Sequence, residues 1–136
     1  MKPALLLDTH VWLWWLLGQP ELASKERDAL DALAAAGMPP GLSVISLWEA
    51  QMLAAKGRLK IDAPLTHWLP TAVAMETVAL LPMDVAVILA LDSLPAGFHG
   101  DPADRIIVAT ARAHGLPLAT RDSNIRRSRA VKVWKG

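Results

Sequence analysis

The chain has no cysteine among its 136 residues. Disulfides, thiolate metal sites and cysteine nucleophiles are therefore excluded, and the composition fits a reducing compartment. Tyrosine is also absent and phenylalanine occurs once, so six tryptophans carry nearly all the aromatic surface. The four histidines, His10, His67, His99 and His114, show no H-E-x-x-H or other metal-ligand spacing. There is no G-x-S-x-G turn, no phosphate-binding loop and no dinucleotide fingerprint, which leaves serine-hydrolase chemistry and ATP hydrolysis without support. The longest apolar tract, residues 72–91, is broken by Glu76, Pro82 and Asp84, too often for a membrane span. Lys2 and the apolar residues after it superficially suggest a secretory signal. Asp8, Thr9 and His10 interrupt that run, and no small-residue cleavage site follows. A cytoplasmic protein without membrane association is expected.

What is present is a globular composition, 53% hydrophobic and 20% charged, on a length that favours one domain over residues 1–136. The net charge of +1 hides an asymmetry. Residues 1–104 carry six Lys/Arg against twelve Asp/Glu, and residues 105–136 carry eight against one. A basic final quarter beside acidic residues suits a polyanionic substrate, although a solvated charged face would look the same. Strand and helix patterns alternate along the chain. Strands are predicted over 4–7, 42–45, 78–81, 116–119 and 131–134. Helices are predicted over 10–17, 21–36, 47–56 (capped by Ser46), 64–76, 84–91 (capped by Asp84) and 102–114, with a loop over 93–100. Short connections between such elements argue for an α/β fold with a parallel sheet covered by helices. Trp12 and Trp15 share a face of the first helix, which reads as a core stripe ahead of a dimer or partner surface.

Four acids follow the predicted strands. Asp8 ends the first, Glu49 lies in the helix after the second, Asp104 opens the helix over 102–114, and Asp122 follows the strand over 116–119. Each has a bland local reading. Asp8 can cap a helix; Ser46-Leu47-Trp48-Glu49 has the form of a capping box; Asp101 and Pro102 make a helix start that Asp104 complements; Asp122 can be a turn or cap residue. Together they are more informative. In an open parallel sheet, ligands bind beyond the carboxyl ends of the strands. Carboxylates gathered there repel one another unless a cation holds them, and hard divalent ions prefer such oxygens. A haloacid-dehalogenase-like phosphatase would also begin with an Asp after the first strand. Asp8-Thr9-His10 lacks the second acid of its D-x-D start.

Four segments, in order, resemble the PIN-domain proteins of the VapC toxin type: Leu5-Leu6-Leu7-Asp8-Thr9-His10-Val11-Trp12-Leu13-Trp14, Ser43-Val44-Ile45-Ser46-Leu47-Trp48-Glu49, the stretch from Gly100-Asp101-Pro102-Ala103-Asp104-Arg105 to Ala111, and Leu118-Ala119-Thr120-Arg121-Asp122. The resemblance implies a three-layer α/β/α domain with a central parallel sheet. It implies an endoribonuclease dependent on Mg2+ or Mn2+, a single-domain toxin inhibited by a cognate VapB-like antitoxin. Carried over by motif, Asp8, Glu49, Asp104 and Asp122 form the catalytic and metal-binding set, with Asp8 and Asp104 the first choices for direct ligands. Asp101, Thr9 and Thr120 are auxiliary. Arg105, Arg121, Arg126 and Arg127 are candidate contacts to RNA phosphates, and Arg105 could instead pair with an acid. Ala103 stands where the family pattern has an aromatic. A homodimer is also expected. The competing readings are a non-catalytic RNA-binding or protein-interaction module on the same fold, and a related DNA nuclease.

Overall fold

A computed structural model describes residues 2–98 and 100–136; His99, in the loop expected over 93–100, lies outside the described residues. The chain runs β1 (Leu6–Leu7), α1 (Thr9–Leu16), α2 (Ser24–Ala35), β2 (Gly41–Ser43), α3 (Ile45–Ala55), α4 (Leu65–Ala72), β3 (Ala79–Leu81), α5 (Val85–Asp92), α6 (Pro102–His114), β4 (Leu118–Ala119) and α7 (Ser123–Ser128). The strands form one parallel sheet in the order β3-β2-β1-β4.

Period-two alternation sends neighbouring strand residues to opposite faces. Leu5 and Leu7 therefore pack with Val11, Trp12, Leu30 and Ala50 from α1, α2 and α3, while Leu6 packs with Ile107, Val108 and Ile125 from α6 and α7. Leu5, Leu6, Leu7, Trp12, Ile107 and Ile125 are fully enclosed. Burying an aliphatic side chain of this size stabilises by roughly 1.5–3 kcal/mol, so strands of two or three residues suffice because both faces are covered. Trp12 and Trp15 are both buried, the former donating from Nε1 to the Ala72 carbonyl and the latter to Asp31. The core reading of this stripe holds. Only Trp14, half-buried, reaches the surface from that cluster.

Several boundaries differ from the sequence expectation, each for a local reason. The strand expected over 42–45 stops at Ser43 because Ser43 Oγ accepts from the Ile45 amide and turns the chain into α3 early. Ser46 therefore sits inside the first turn of α3 rather than capping it, and the residue preceding that helix, Val44, makes no side-chain cap. Helix α2 begins at Ser24, later than expected, after a turn closed by Leu22 N–H to the Gln19 carbonyl. Helix α4 ends at Ala72 instead of 76: the Val73 amide still reaches the Leu69 carbonyl past Pro70, but the Ala74 amide bonds to the Thr71 carbonyl in a tighter closing turn. The strand expected over 131–134 is reduced to a bridge between Leu118 and Val133. Helix α7 was not expected at all: its six residues hold one buried apolar side chain, Ile125, too few to show a period. Helix α6 matches its expected span, with Asp101 as N-cap and Gly115 at φ 64° closing it.

Candidate active site

After β1 the chain moves outward through β2 to β3, then returns past β1 to lay down β4 on its other side. The strand order thus reverses between β1 and β4, and such a reversal opens a crevice at the carboxyl ends of the strands. Asp8 leaves β1 at this point, and Thr120 and Asp122 leave β4.

Asp8 is only 6% exposed, and both of its oxygens are held. Oδ1 accepts from the Thr9 amide at 2.8 Å and Oδ2 from Thr120 Oγ1 at 2.6 Å. Burial pushes its carboxyl above the ordinary range, and the hydrogen bonds from Thr120 and Thr9 pull it part of the way back. Thr120 Oγ1 also accepts from the Asp122 amide at 3.0 Å, so one hydroxyl locks the acid of β1 to the turn after β4. Asp122 caps α7 through Ile125 N–H at 2.9 Å.

On the other side, the buried Thr9 hydroxyl donates to Glu49 Oε1 and lies 2.8 Å from Ser46 Oγ. A threonine hydroxyl has one proton. With that proton directed to Glu49, Ser46 must be the donor to Thr9. The Ser46–Glu49 spacing, which has the form of a capping box, is in fact a relay of hydroxyls that fixes Glu49 relative to Asp8. Burial, followed by Asp8 and Asp101, raises the Glu49 carboxyl against the opposing Thr9 bond.

Asp104 stands in the first turn of α6, where the Asp101 carboxylate accepts from its amide at 3.0 Å. Its own carboxyl is pushed up to about 7, by burial first and then by Asp8, Asp101, Asp122 and Glu49. The five acids line one cavity of about 350 Å³, together with His10, Trp14 and Arg121. The structure therefore gathers the four expected acids and Asp101, with Thr9 and Thr120 bonded behind them.

The arginines divide differently. Arg121 lines the cavity and pairs with Glu26 of α2 at its rim. Arg105 donates to the Phe98 carbonyl, Arg126 to the Thr120 carbonyl and Arg127 to Asn124; none of these three lines the cavity. Sequence reasoning missed His10 and Trp14 as cavity walls, although they lie one helical turn apart directly after Asp8. It also missed Glu26, for which no local pattern exists. Ala103 is buried against the body of the domain.

Among the described residues no group of three or more His, Cys, Asp or Glu is arranged to hold a metal ion as it stands. The donor chemistry nevertheless fits one. All the convergent groups are carboxylates, the ligand type of hard divalent ions, and three of them resist ionisation because burial outweighs the groups that favour their charged form.

The PIN domain family model matches residues 5–130. The chain is 38% identical over 136 residues to Ribonuclease VapC22 of Mycobacterium tuberculosis (strain ATCC 25618 / H37Rv), covering 95% of this chain and 97% of that protein. Its fold is similar to that in DNA-bound VapBC from Salmonella typhimurium, with a TM-score of 0.72 at 18% identity and 98% of each chain covered. FitAcB from Neisseria gonorrhoeae gives a TM-score of 0.67 at 25% identity, with 96% of each chain covered.

Proposed function

Since the chain belongs to the PIN-domain family, among its VapC-type toxins, we propose that it is a divalent-metal-dependent endoribonuclease, the toxin of a toxin–antitoxin pair. The observation that carries this reading is the acidic cavity at the sheet's reversal point, where Asp104 is pushed to about 7 by burial and four other acids. Helix capping accounts for Asp8, Asp101 and Asp122 one at a time, but gathering all five acids in one cavity costs stability through repulsion and desolvation. The cluster makes sense as a seat for a cation.

Asp8 and Asp104 are proposed to hold Mg2+ or Mn2+ directly, with Glu49 and Asp122 orienting water around it. When bound, the ion supplies charge compensation at a phosphodiester and a lowered pKa for water. The remaining work belongs to the chain. Thr120 and the Thr9 amide keep the Asp8 oxygens from swinging away, and the Ser46–Thr9 pair does the same for Glu49. Asp104 loses its proton near neutral pH. Arg121, anchored by Glu26, presents positive charge to an incoming phosphate at the cavity rim.

Purified protein should cleave single-stranded RNA with Mg2+ or Mn2+, stop in chelator, and be inactive as Asp8→Asn. Cleavage undiminished by chelation, in preparations free of contaminating nuclease, would rule the mechanism out; preferential cleavage of duplex or flap DNA would favour the related DNA nuclease. RNA binding without cleavage would favour a non-catalytic module. The solved relatives named VapBC and FitAcB support a VapB-like antitoxin partner. Expression of this chain alone should slow growth and Asp8→Asn should not; equal effects would sink the toxin reading. Val85, Ile88 and Leu89, exposed along α5, support a homodimer, which sedimentation at micromolar concentrations would refute by finding a monomer. No described helix is long and apolar enough to cross a membrane.

A further inference from the structure

Beside the acidic cavity lies a larger one of about 470 Å³ that the proposed chemistry does not use. Its apolar wall comes from Leu13, Leu17, Leu53 and Leu59, and at its edge two exposed cations, Arg58 and Lys60, stand with one exposed acid, Glu21. His10 and Trp14 line both cavities. They sit one turn apart on α1, their rings 6.0 Å apart and tilted by 47°, so the two cavities meet along this pair.

We propose that this second cavity receives an unpaired nucleobase of the RNA, stacked on Trp14, one step along the strand from the phosphate at the acids. The proposal rests on the nuclease reading and supplies what that reading lacks. An acidic pocket repels a polyanion, and a bound ion and Arg121 would compensate only locally; further affinity for the strand must come from beyond it. An aromatic ring beside aliphatic walls binds the face of any base, and Arg58 and Lys60 are placed to meet the phosphates on either side of that base. Two cations against the single acid Glu21 leave this rim net positive, which favours a nucleotide over an apolar peptide. The site also selects for single strands, because a base held in a duplex cannot enter it. Trp14 differs here from its neighbours: Trp12 and Trp15 turn their indole N–H groups inward to Ala72 and Asp31.

The test uses a short RNA whose cleaved bond has been mapped with wild-type protein, and a series in which each flanking nucleotide is replaced in turn by an abasic ribose. One replacement should raise KM about tenfold, the scale of a single base stack, with kcat little changed. Trp14→Ala should raise KM on the intact RNA by a similar factor, the abasic replacement should then add nothing, and Trp14→Phe should restore most of the affinity. Arg58→Ala and Lys60→Ala, on the surface, should raise KM and flatten its salt dependence. The proposal is overturned if no abasic position matters, if the effects of Trp14→Ala and the abasic position multiply independently, or if the two cation variants leave KM and its salt dependence unchanged. It is equally overturned if Trp14→Ala leaves RNA kinetics intact and instead weakens inhibition by a VapB-like partner, which would make the cavity a protein seat. A wild type that cleaves no RNA would sink the nuclease reading, and with it this proposal; the abasic and Trp14 outcomes above, read on a protein that does cleave, overturn this proposal alone.

Discussion

Replacing Asp104 with Asn should stabilise the metal-free protein, and the gain should depend on pH in a defined way. The Asp104 carboxyl titrates at about 7 in the fold against 3.8 for an unperturbed aspartate. Between those values the native state keeps a proton that the unfolded chain has released, so stability falls as pH rises through this window. Below 3.8 both states hold the proton and above 7 neither does, so the loss is complete near pH 8. The window spans roughly three pH units, and at 1.36 kcal/mol per unit the ceiling is about 4 kcal/mol. Asp104 is half-buried, and solvent screens part of that interaction, which reduces the expected gain to roughly 1–2 kcal/mol. For a domain of this size that is a rise in Tm of about 4–8 °C. The assay is a series of melts in chelator at fixed ionic strength from pH 3.5 to 8.5, with Asp8→Asn as a companion. Asp8→Asn should also melt higher than wild type, because it removes a carboxylate raised by burial while keeping a capping oxygen. Added Mg2+ or Mn2+ should then stabilise wild type by RT ln(1 + [L]/Kd) and both variants much less. A gap between Asp104→Asn and wild type that does not change with pH, or a variant that melts lower at pH 8, would refute the account of a charge-strained site. Equal metal-induced shifts in wild type and Asp8→Asn would make helix capping the better account of Asp8.

Thr120→Val should cost about 1–3 kcal/mol in urea unfolding at pH 7, because the Asp8 carboxylate and the Asp122 amide both lose a partner in a nearly dry position; a neutral result would remove Thr120 from the site's framework. Thr9→Val and Ser46→Ala should be non-additive by about 0.5 kcal/mol or more in a double-mutant cycle, whereas purely additive losses would return Ser46 to a local role in α3. Ile107→Ala, at a fully enclosed position between α6 and the sheet, should cost about 2–5 kcal/mol while leaving KM for RNA unchanged in the protein that remains folded. Binding of Mg2+ near pH 6, followed by calorimetry in buffers of different ionisation enthalpy, should release about one proton per ion, since Asp104 must ionise to accept it; no buffer dependence would count against Asp104 as a ligand.

Much of the fold was legible because its determinants are local. The apolar run 4–7, the Asp101-Pro102 start and Gly115 stop of α6, and the Asp84 cap of α5 each act within a few residues. Order along the chain also carried the parallel sheet, since short α/β alternation leaves few other topologies. The identity of the four acids could be read from their positions after strands and from the resemblance of their motifs. Some bland readings hold, since Asp8, Asp101 and Asp122 do cap helices, while the capping box of Ser46 and Glu49 does not form; a helix start and an acidic cluster are built from the same side chains.

Other features required the tertiary structure, because they depend on residues far apart in sequence. Thr120 reaches Asp8 across 112 positions and Thr9 reaches Glu49 across 40. The serine that looked like a cap became a hydroxyl donor only when β1 and β2 placed Thr9 beside it. Arg121 could not be singled out from four arginines until α2 brought Glu26 to it. The upward shift of Asp104 was equally hidden, since desolvation and the fields of four other carboxylates are properties of an enclosed space that no stretch of chain contains. The sequence by itself determined which residues carry charge, which bury, and where helices can begin. The strand order β3-β2-β1-β4 decided which of those charges meet, because Coulomb and desolvation energies depend on distance through the fold and not along the chain.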